Sequence, residues 1–206
     1  MNNPSAHEKP AVFLDRDGTL NQMVYDETHG IMDSPRRPEQ VRLVPGATEL
    51  IHRLRELHFE IIVITNQPGI AKGTLTEKEL DAVNDRLAEL LREKDAAWDA
   101  LECCPHHPSE GNRTELVGPC DCRKPKPGML LKAACERGLS LRESWMIGDG
   151  LVDVQAGKAA GCRTILLTKL KIEQIERFIH LDAIPDHIAP SLSNATDHIS
   201  NHWNMP

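Results

Sequence analysis

Five residues near the amino terminus, Asp15-Arg-Asp-Gly-Thr19, place two carboxylates two positions apart directly after a short apolar run. A strand that empties into such a loop sends both side chains the same general way, and Gly18 permits the sharp turn behind them. Asp and Gly are also ordinary turn residues, so the pair gains meaning only from its context. That context comes from further polar residues at the ends of other apolar runs: Thr65 and Asn66 after EIIVIT, and Asp149 after SWMIG. In parallel sheets flanked by helices, ligands sit beyond the carboxyl ends of the strands. Asp15, Asp17, Thr65, Asn66 and Asp149 are therefore expected on one edge.

A second group has different chemistry. Cys104-Pro-His106 and Cys120-Asp-Cys122 are close pairs separated by thirteen residues between His106 and Cys120. Three thiolates and one imidazole are a common tetrahedral zinc set. Neighbouring Cys103 and His107 leave the choice of ligands open. The loop between the pairs has little apolar content, and a metal can order such a loop where a core cannot. Cys135 and Cys162 lie in small-residue surroundings and read as buried thiols.

The elements that must position these groups follow from hydrophobic spacing. Ala11–Leu14, Glu60–Thr65, Ser144–Ile147 and Arg163–Leu167 are short continuous apolar runs, as expected of strands covered on both faces; the fourth reads as the last core strand. Gly46–His58 carries apolar residues at helical spacing. Thr76 and Glu79 have capping-box spacing and open a helix to about Lys94. Met129–Arg137 reads as a helix closed by Gly138, and Val152–Ala160 as a small-residue helix. Asn21–Arg42 reads as a long loop or small flap, a length that is usually functional or disordered. Asn66–Gly73 and 103–127 read as loops. The tail from Lys171 reads as one helix plus a loosely determined end. Alternating strands and helices give a three-layer α/β fold with a mainly parallel sheet. The length of 206 residues suits one domain, 1–206, with a metal loop at about 103–123 and a tail at about 170–206.

The net charge of -7 argues against a nucleic-acid-binding surface, which needs clustered Lys and Arg. No stretch approaches the roughly 20 apolar residues of a membrane helix. The first ten residues are polar with two prolines, unlike a signal peptide. The six cysteines fit a reducing compartment as metal ligands or thiols better than a disulfide framework. A cytoplasmic location follows as the expectation. The sequence does not fix the oligomeric state, and a monomer is compatible with it.

AVFLDRDGTLN resembles the first motif of the haloacid dehalogenase superfamily of phosphatases. Thr65, Lys124 in CRKPKPG and Asp149 in GDGLVD resemble the second, third and fourth motifs, in the family's order. The resemblance spans roughly Ala11 to Leu167 and implies a Rossmann-like αβα fold. It further implies that Asp15 is a nucleophile, forming an aspartyl-phosphate, and that Asp17 is the general acid and then base. Mg²⁺ would be held by Asp15, the backbone carbonyl of Asp17 and Asp149, with Asp153 in support. Thr65 and the backbone around Asn66 would bind phosphoryl oxygens, and Lys124 would add fixed positive charge. Alone, Lys124 would read as a solvated surface lysine.

CPHHP followed by CDCRKPKPG resembles the zinc loop of bacterial heptose-bisphosphate phosphatases and of histidinol-phosphate phosphatases, where zinc is structural and large cap domains are absent. That likeness makes Arg123 a substrate-binding residue. It points to a small phosphorylated metabolite, most closely a heptose bisphosphate, with histidinol phosphate or another sugar phosphate as the alternative. Arg36 and Arg37 suit a second anionic group, or are simply exposed on a loop. Gly150 departs from the pattern, since those families commonly carry Lys or Arg after the fourth-motif aspartate. From other classes, a catalytically silent zinc-loop binding module is opposed by the intact acidic positions. A phosphorelay receiver is opposed by the DxDGT pair and the zinc loop.

Overall fold

A computed structural model describes residues 8–27, 30–168 and 183–203. Its framework is a six-stranded, wholly parallel sheet in the order β5-β4-β1-β6-β7-β8. The strands are β1 (Ala11–Leu14), β4 (Glu60–Asn66), β5 (Ala100–Cys104), β6 (Trp145–Gly148), β7 (Arg163–Leu167) and β8 (His187–Ala189). Alternation along β1 explains the layering. Val12 and Leu14 face a core shared with α1 (Ala47–Glu56), α3 (Glu77–Arg92) and α6 (Leu192–Trp203). Ala11 and Phe13 face the opposite core, built with α4 (Gly128–Arg137) and α5 (Leu151–Ala160). Both faces are covered, as the continuous apolar runs require.

Local signals act at the expected positions. Thr76 caps α3, accepting from the Glu79 N–H at 3.2 Å while Glu79 reaches back to the Thr76 N–H at 2.8 Å. Gly138 ends α4 in a left-handed conformation. In α5 the small residues are a packing requirement. A Cβ on Gly157 would lie 2.7 Å from Met146 Cβ and from Thr164 Cγ2, so the helix rests directly on β6 and β7.

Four stretches differ from the reading of the sequence. The expected loop at 103–127 begins inside a strand, because β5 carries Cys103 and Cys104. Its sequence ALECC has no β-branched residue, and most of the strand is only half-buried at the sheet edge. The strand Arg163–Leu167 is not the last, since three-residue β8 extends the sheet beyond it. The flap holds an antiparallel hairpin, β2 (Val24–Asp26) and β3 (Ile31–Asp33). The loop after β4 contains a single helical turn, α2 (Gly69–Lys72). The tail expected from Lys171 lies outside the described residues up to 182; beyond that it forms β8 and α6. No described helix is long and apolar enough to cross a membrane.

The chain leaves β1 toward β4 and β5 on one side and returns to β6 on the other. The connections diverge at β1 and β6, where an open parallel sheet forms its crevice. Asp15 follows β1 and Asp149 follows β6, so the two stand across that crevice.

Candidate active site and metal centre

Asp15 is fixed by continuing the sheet pairing, its N–H donating to Ile147 O at 2.9 Å. The chain then turns through Gly18, at φ +87, where a Cβ would lie 2.1 Å from Asp149 Oδ2. Only a glycine lets the first loop pass so close to the fourth-motif carboxylate.

Lys124 is buried, 3% exposed, among this acidic group. Its Nζ lies 2.5 Å from Asp15 Oδ1 and 2.6 Å from Asp153 Oδ1, and donates to Ile64 O at 2.9 Å. These contacts exclude the surface-lysine reading. Asn66 holds the lysine's backbone from both sides: its Nδ2 donates to Lys124 O at 3.0 Å, and its Oδ1 accepts from Lys124 N–H at 3.1 Å. The Asn66 side chain is thus committed to the Lys124 loop. Asp153, in the first turn of α5, also accepts from Gly150 N–H at 3.0 Å, which anchors the start of that helix. Thr65 is buried and its hydroxyl accepts from Gln67 Nε2 at 2.8 Å, leaving its own O–H to donate.

Asp15, Asp149 and Asp153 present carboxylate oxygens within 4.8 Å of one another. Burial pushes the Asp15 carboxyl upward, and Asp153 and Asp17 add to this, against the pull of Lys124. Burial and Asp153 together push Asp149 up to about 6. On Lys124, burial works against the charged form, but Asp15 and Asp153 outweigh it and raise its pKa. Three carboxylates against one ammonium leave surplus negative charge, and oxygen donors at this spacing suit a hard divalent cation.

The Asp17 carboxylate turns elsewhere. Oδ1 accepts from Arg16 Nε at 3.1 Å and Asn21 Nδ2 at 3.0 Å; Oδ2 accepts from Arg16 Nη2 at 2.9 Å and Gln67 Nε2 at 2.7 Å. Burial would raise its pKa, but Arg16, Asn21 and Gln67 hold it below the ordinary carboxylate range. Sequence reasoning alone does not single out Arg16 or Gln67. The available signal for Arg16 is its place between the two aspartates. Gln67 offers none beyond its closeness to Thr65.

A cavity of about 170 Å³ is lined by Asp15, Asp17, Thr65, Lys124, Asp149 and Asp153, among others. It shares Ser34 and Asn66 with a larger one of about 370 Å³ under the flap, whose walls include Arg36, Lys72 and Arg123. Arg36 pairs with Asp33 at 2.5 Å, and Arg123 donates to His106 O at 3.0 Å. Arg37 is absent from both of these cavities and lines a third, adjoining one, beside Gln40 and Glu79, which shares Arg36 with the cavity under the flap. Gly150 adds no charge to the rim.

The thiol cluster forms from the two expected pairs. Cys104 Sγ lies 3.1 Å from Cys122 Sγ and 3.8 Å from Cys120 Sγ, and Cys120 lies 3.5 Å from Cys122. His106 Nδ1 is 3.6 Å from Cys104 Sγ and 3.3 Å from Cys122 Sγ. A tetrahedron with metal–sulfur bonds of about 2.3 Å has edges of about 3.8 Å, so the four donors sit near the corners of a zinc-sized cage. Burial and the adjoining Cys122 thiol push Cys104 upward, a repulsion between thiolates that a cation relieves. Cys103 and His107 are outside this set: His107 Nδ1 instead accepts from Glu110 N–H at 2.9 Å.

A HAD-hydrolase-like family model matches residues 121–195. D-glycero-beta-D-manno-heptose-1,7-bisphosphate 7-phosphatase from Escherichia coli K12 is 37% identical over 164 residues, 80% of this chain and 81% of its own. The Pasteurella multocida enzyme of that name is 37% identical over 161 residues, 78% of this chain and 82% of its own. Among solved structures, a protein described as a HAD-like phosphatase from Mesorhizobium loti has a TM-score of 0.76 and 30% identity, covering 94% of this chain and 87% of that one. The D,D-heptose 1,7-bisphosphate phosphatase of B. bronchiseptica, solved with magnesium and phosphate, has a TM-score of 0.73 and 27% identity, covering 93% and 98%. These solved structures share the fold over nearly the whole chain. The chain belongs to the haloacid-dehalogenase-like phosphatase family. Within it, the Escherichia coli and Pasteurella multocida relatives both carry the name of a heptose-bisphosphate phosphatase.

Proposed function

We propose that this protein hydrolyses the phosphate monoester of a small sugar bisphosphate, a heptose bisphosphate, through an aspartyl-phosphate on Asp15. The observation that carries the reading is the group Asp15–Lys124–Asp153 with Asp149, gathered where β1 and β6 end. With Oδ1 paired to Lys124, Asp15 Oδ2 is the oxygen left to attack phosphorus. Lys124 and the Thr65 hydroxyl face the charge that develops on the phosphoryl oxygens, where preorganised donors act most strongly. Asp17 is the proposed general acid and base: held ionised among Arg16, Asn21 and Gln67, it is in the form that takes a proton from the water that cleaves the acyl phosphate, and it must first gain a proton before it can protonate the departing sugar oxygen. Asp15, the Asp17 carbonyl and Asp149 would hold Mg²⁺, with Asp153 supporting them. When bound, the ion offsets the repulsion between carboxylate and phosphate. Cys104, His106, Cys120 and Cys122 would hold a structural Zn²⁺; with four protein donors it has no open position for a reacting water. That metal ties the loop bearing Arg123 and Lys124 to the end of β5. Arg123 and Arg36 border the space beside the catalytic cavity where the rest of a substrate would lie. The reading takes residues 1–206 as one catalytic domain, and reduced thiols with a metabolite substrate suit the cytoplasm.

The test is release of inorganic phosphate from a panel containing heptose bisphosphates, other sugar phosphates, histidinol phosphate and an aryl phosphate. Release should require Mg²⁺, favour the heptose bisphosphate and vanish in Asp15→Asn. Release from no compound by folded, zinc-replete protein would overturn the reading. A preference for histidinol phosphate would overturn the substrate class alone.

A further inference from the structure

The Lys124 ammonium is held at its tip by Asp15, Asp153 and Ile64 O. A lysine stem is flexible, so the tip stays there only if the root is fixed as well. The loop that carries the root is shaped from within. Lys126 N–H donates to Arg123 O at 2.9 Å and Gly128 N–H to Asp121 O at 3.1 Å, and a Cβ on Gly128 would lie 2.2 Å from that same Asp121 oxygen. A loop closed this tightly moves as a unit. Two attachments tie it to the sheet. At the end of β5 it is tied through the thiol cluster, where Cys122 Sγ lies 3.1 Å from Cys104 Sγ. At the end of β4 it is tied through Asn66, whose side-chain amide bonds both the N–H and the C=O of Lys124 itself. The first attachment is two residues from the lysine; the second is on it.

We propose that the Asn66 side chain is a positioning residue for Lys124: it seats the loop on β4 so that the ammonium stands between Asp15 and Asp153, and its amide acts through the lysine, not on substrate. The inference rests on the role given to Lys124 above. Asn66 lines the catalytic cavity, where a substrate contact would be the plainer reading, but its amide donor and its amide acceptor each go to the Lys124 backbone. Without them the loop is held at Cys122 and pivots there, which carries the root of Lys124 away from β4. A misplacement of about 1 Å can cost about 10²-fold in rate. That effect belongs to the ammonium, so it disappears once the ammonium has been removed. A residue that touched substrate, or one that only supported the fold, would act whether or not Lys124 were present.

The experiment is a double-mutant cycle in single-turnover cleavage, with Mg²⁺, of whichever of a sugar bisphosphate and p-nitrophenyl phosphate reacts faster. It compares wild type, Asn66→Ala, Lys124→Met and the two combined. Thermal melts and zinc content matching wild type confirm that each variant is folded around its thiol cluster. Asn66→Ser, too short to reach both backbone groups, is the second route should Asn66→Ala not fold. Asn66→Ala should lower the maximal rate about tenfold or more, a share of the roughly 10²–10³-fold that loss of a donor to developing charge costs. The half-saturating concentration should stay within about threefold, as for a group that acts in the transition state and not in uniform binding. In the Lys124→Met background the same change should slow the reaction less than about twofold, because effects of residues that act as one do not multiply. Should the combined variant not fold, the split between maximal rate and half-saturation in Asn66→Ala decides. Full multiplication of the two effects, a raised half-saturating concentration at unchanged maximal rate, or no effect of Asn66→Ala on the rate overturns the proposal while leaving the phosphatase reading in place. Wild type that cleaves neither compound overturns both.

Discussion

Replacing Lys124 by Met removes the cation that lies within 2.6 Å of both Asp15 and Asp153 while keeping the stem's volume. Lys124 is 2% exposed in its side chain, against 11% and 3% for its partners, so solvent does little to screen the loss. Removing one partner of a buried pair typically costs about 3–5 kcal/mol, and that is the expected loss in urea denaturation with chelator at pH 8. The loss should shrink as pH falls. Asp15 and Asp149 have folded-state pKa values above their unfolded ones even beside the ammonium, which pulls both down, so its removal raises them further. Stability is then retained while they are protonated and lost as pH rises through the folded pKa; Asp15 is already raised in the presence of Lys124. Mg²⁺ should restore part of the loss by supplying charge to the same oxygens. A double-mutant cycle with Asp153→Asn should give a coupling of about 1–3 kcal/mol. Additivity within about 0.5 kcal/mol, or a deficit that does not vary between pH 5 and pH 8, would refute the charge-balance argument. Turnover of Lys124→Met should drop by about 10²–10³-fold, the usual effect of deleting a donor to developing charge.

Metal analysis of the purified protein should find one zinc per chain, and Cys120→Ser should abolish it and lower the melting temperature more than Cys135→Ser; Cys135 lies outside the cluster and, unlike Cys162, is exposed rather than buried as its small-residue surroundings suggest. His198 stacks on His187 and His202 at 3.7 and 4.1 Å, and burial with these neighbours lowers its pKa to about 4 from 6.5. The unfolded chain therefore binds more protons in this window, and stability present above about pH 6.5 should decline toward pH 4. His198→Gln should flatten that part of the melting-temperature profile, and an unaltered profile would show that the stack does not govern it. Gly18→Ala forces a Cβ to within 2.1 Å of Asp149 Oδ2 at a φ of +87. Mg²⁺-dependent phosphate release should be lost while the urea midpoint moves only modestly; retained release would show that the loop has room to shift.

The central strands are legible in the sequence because both of their faces are covered. β1, β4, β6 and β7 are continuous apolar runs, and each expected span falls within a residue or two of the observed one. The edge strands β5 and β8 are not. ALECC is only half-buried over most of its length, and HIA owes its position partly to Asp186, which accepts from both Thr164 N–H and its hydroxyl at 2.7 Å. Such distant contacts leave no periodicity in the sequence. Convergence of Asp15, Thr65 and Asp149 is legible because strand ends share an edge in this topology, and the thiol cluster because ligand types and spacing carry their own geometry. What lies beneath the reactive groups is not. Arg16, Gln67 and Asn84 meet only after β1, β4 and α3 have packed, and nothing in an Asn on a helix distinguishes it from a solvated one.

The clasp between Asn66 and Lys124 has a consequence for how this protein tolerates change. Two bonds from the Asn66 side chain to the Lys124 backbone join the end of β4 to a loop 58 residues later. The position of the ammonium is therefore indifferent to the length of the chain between. Pro108–Glu110, exposed at the tip of the thiol loop, lies within that interval. Segments grafted there would hang outside both the clasp and the four metal donors. The thiol loop could be lengthened there without displacing the clasp that holds the ammonium.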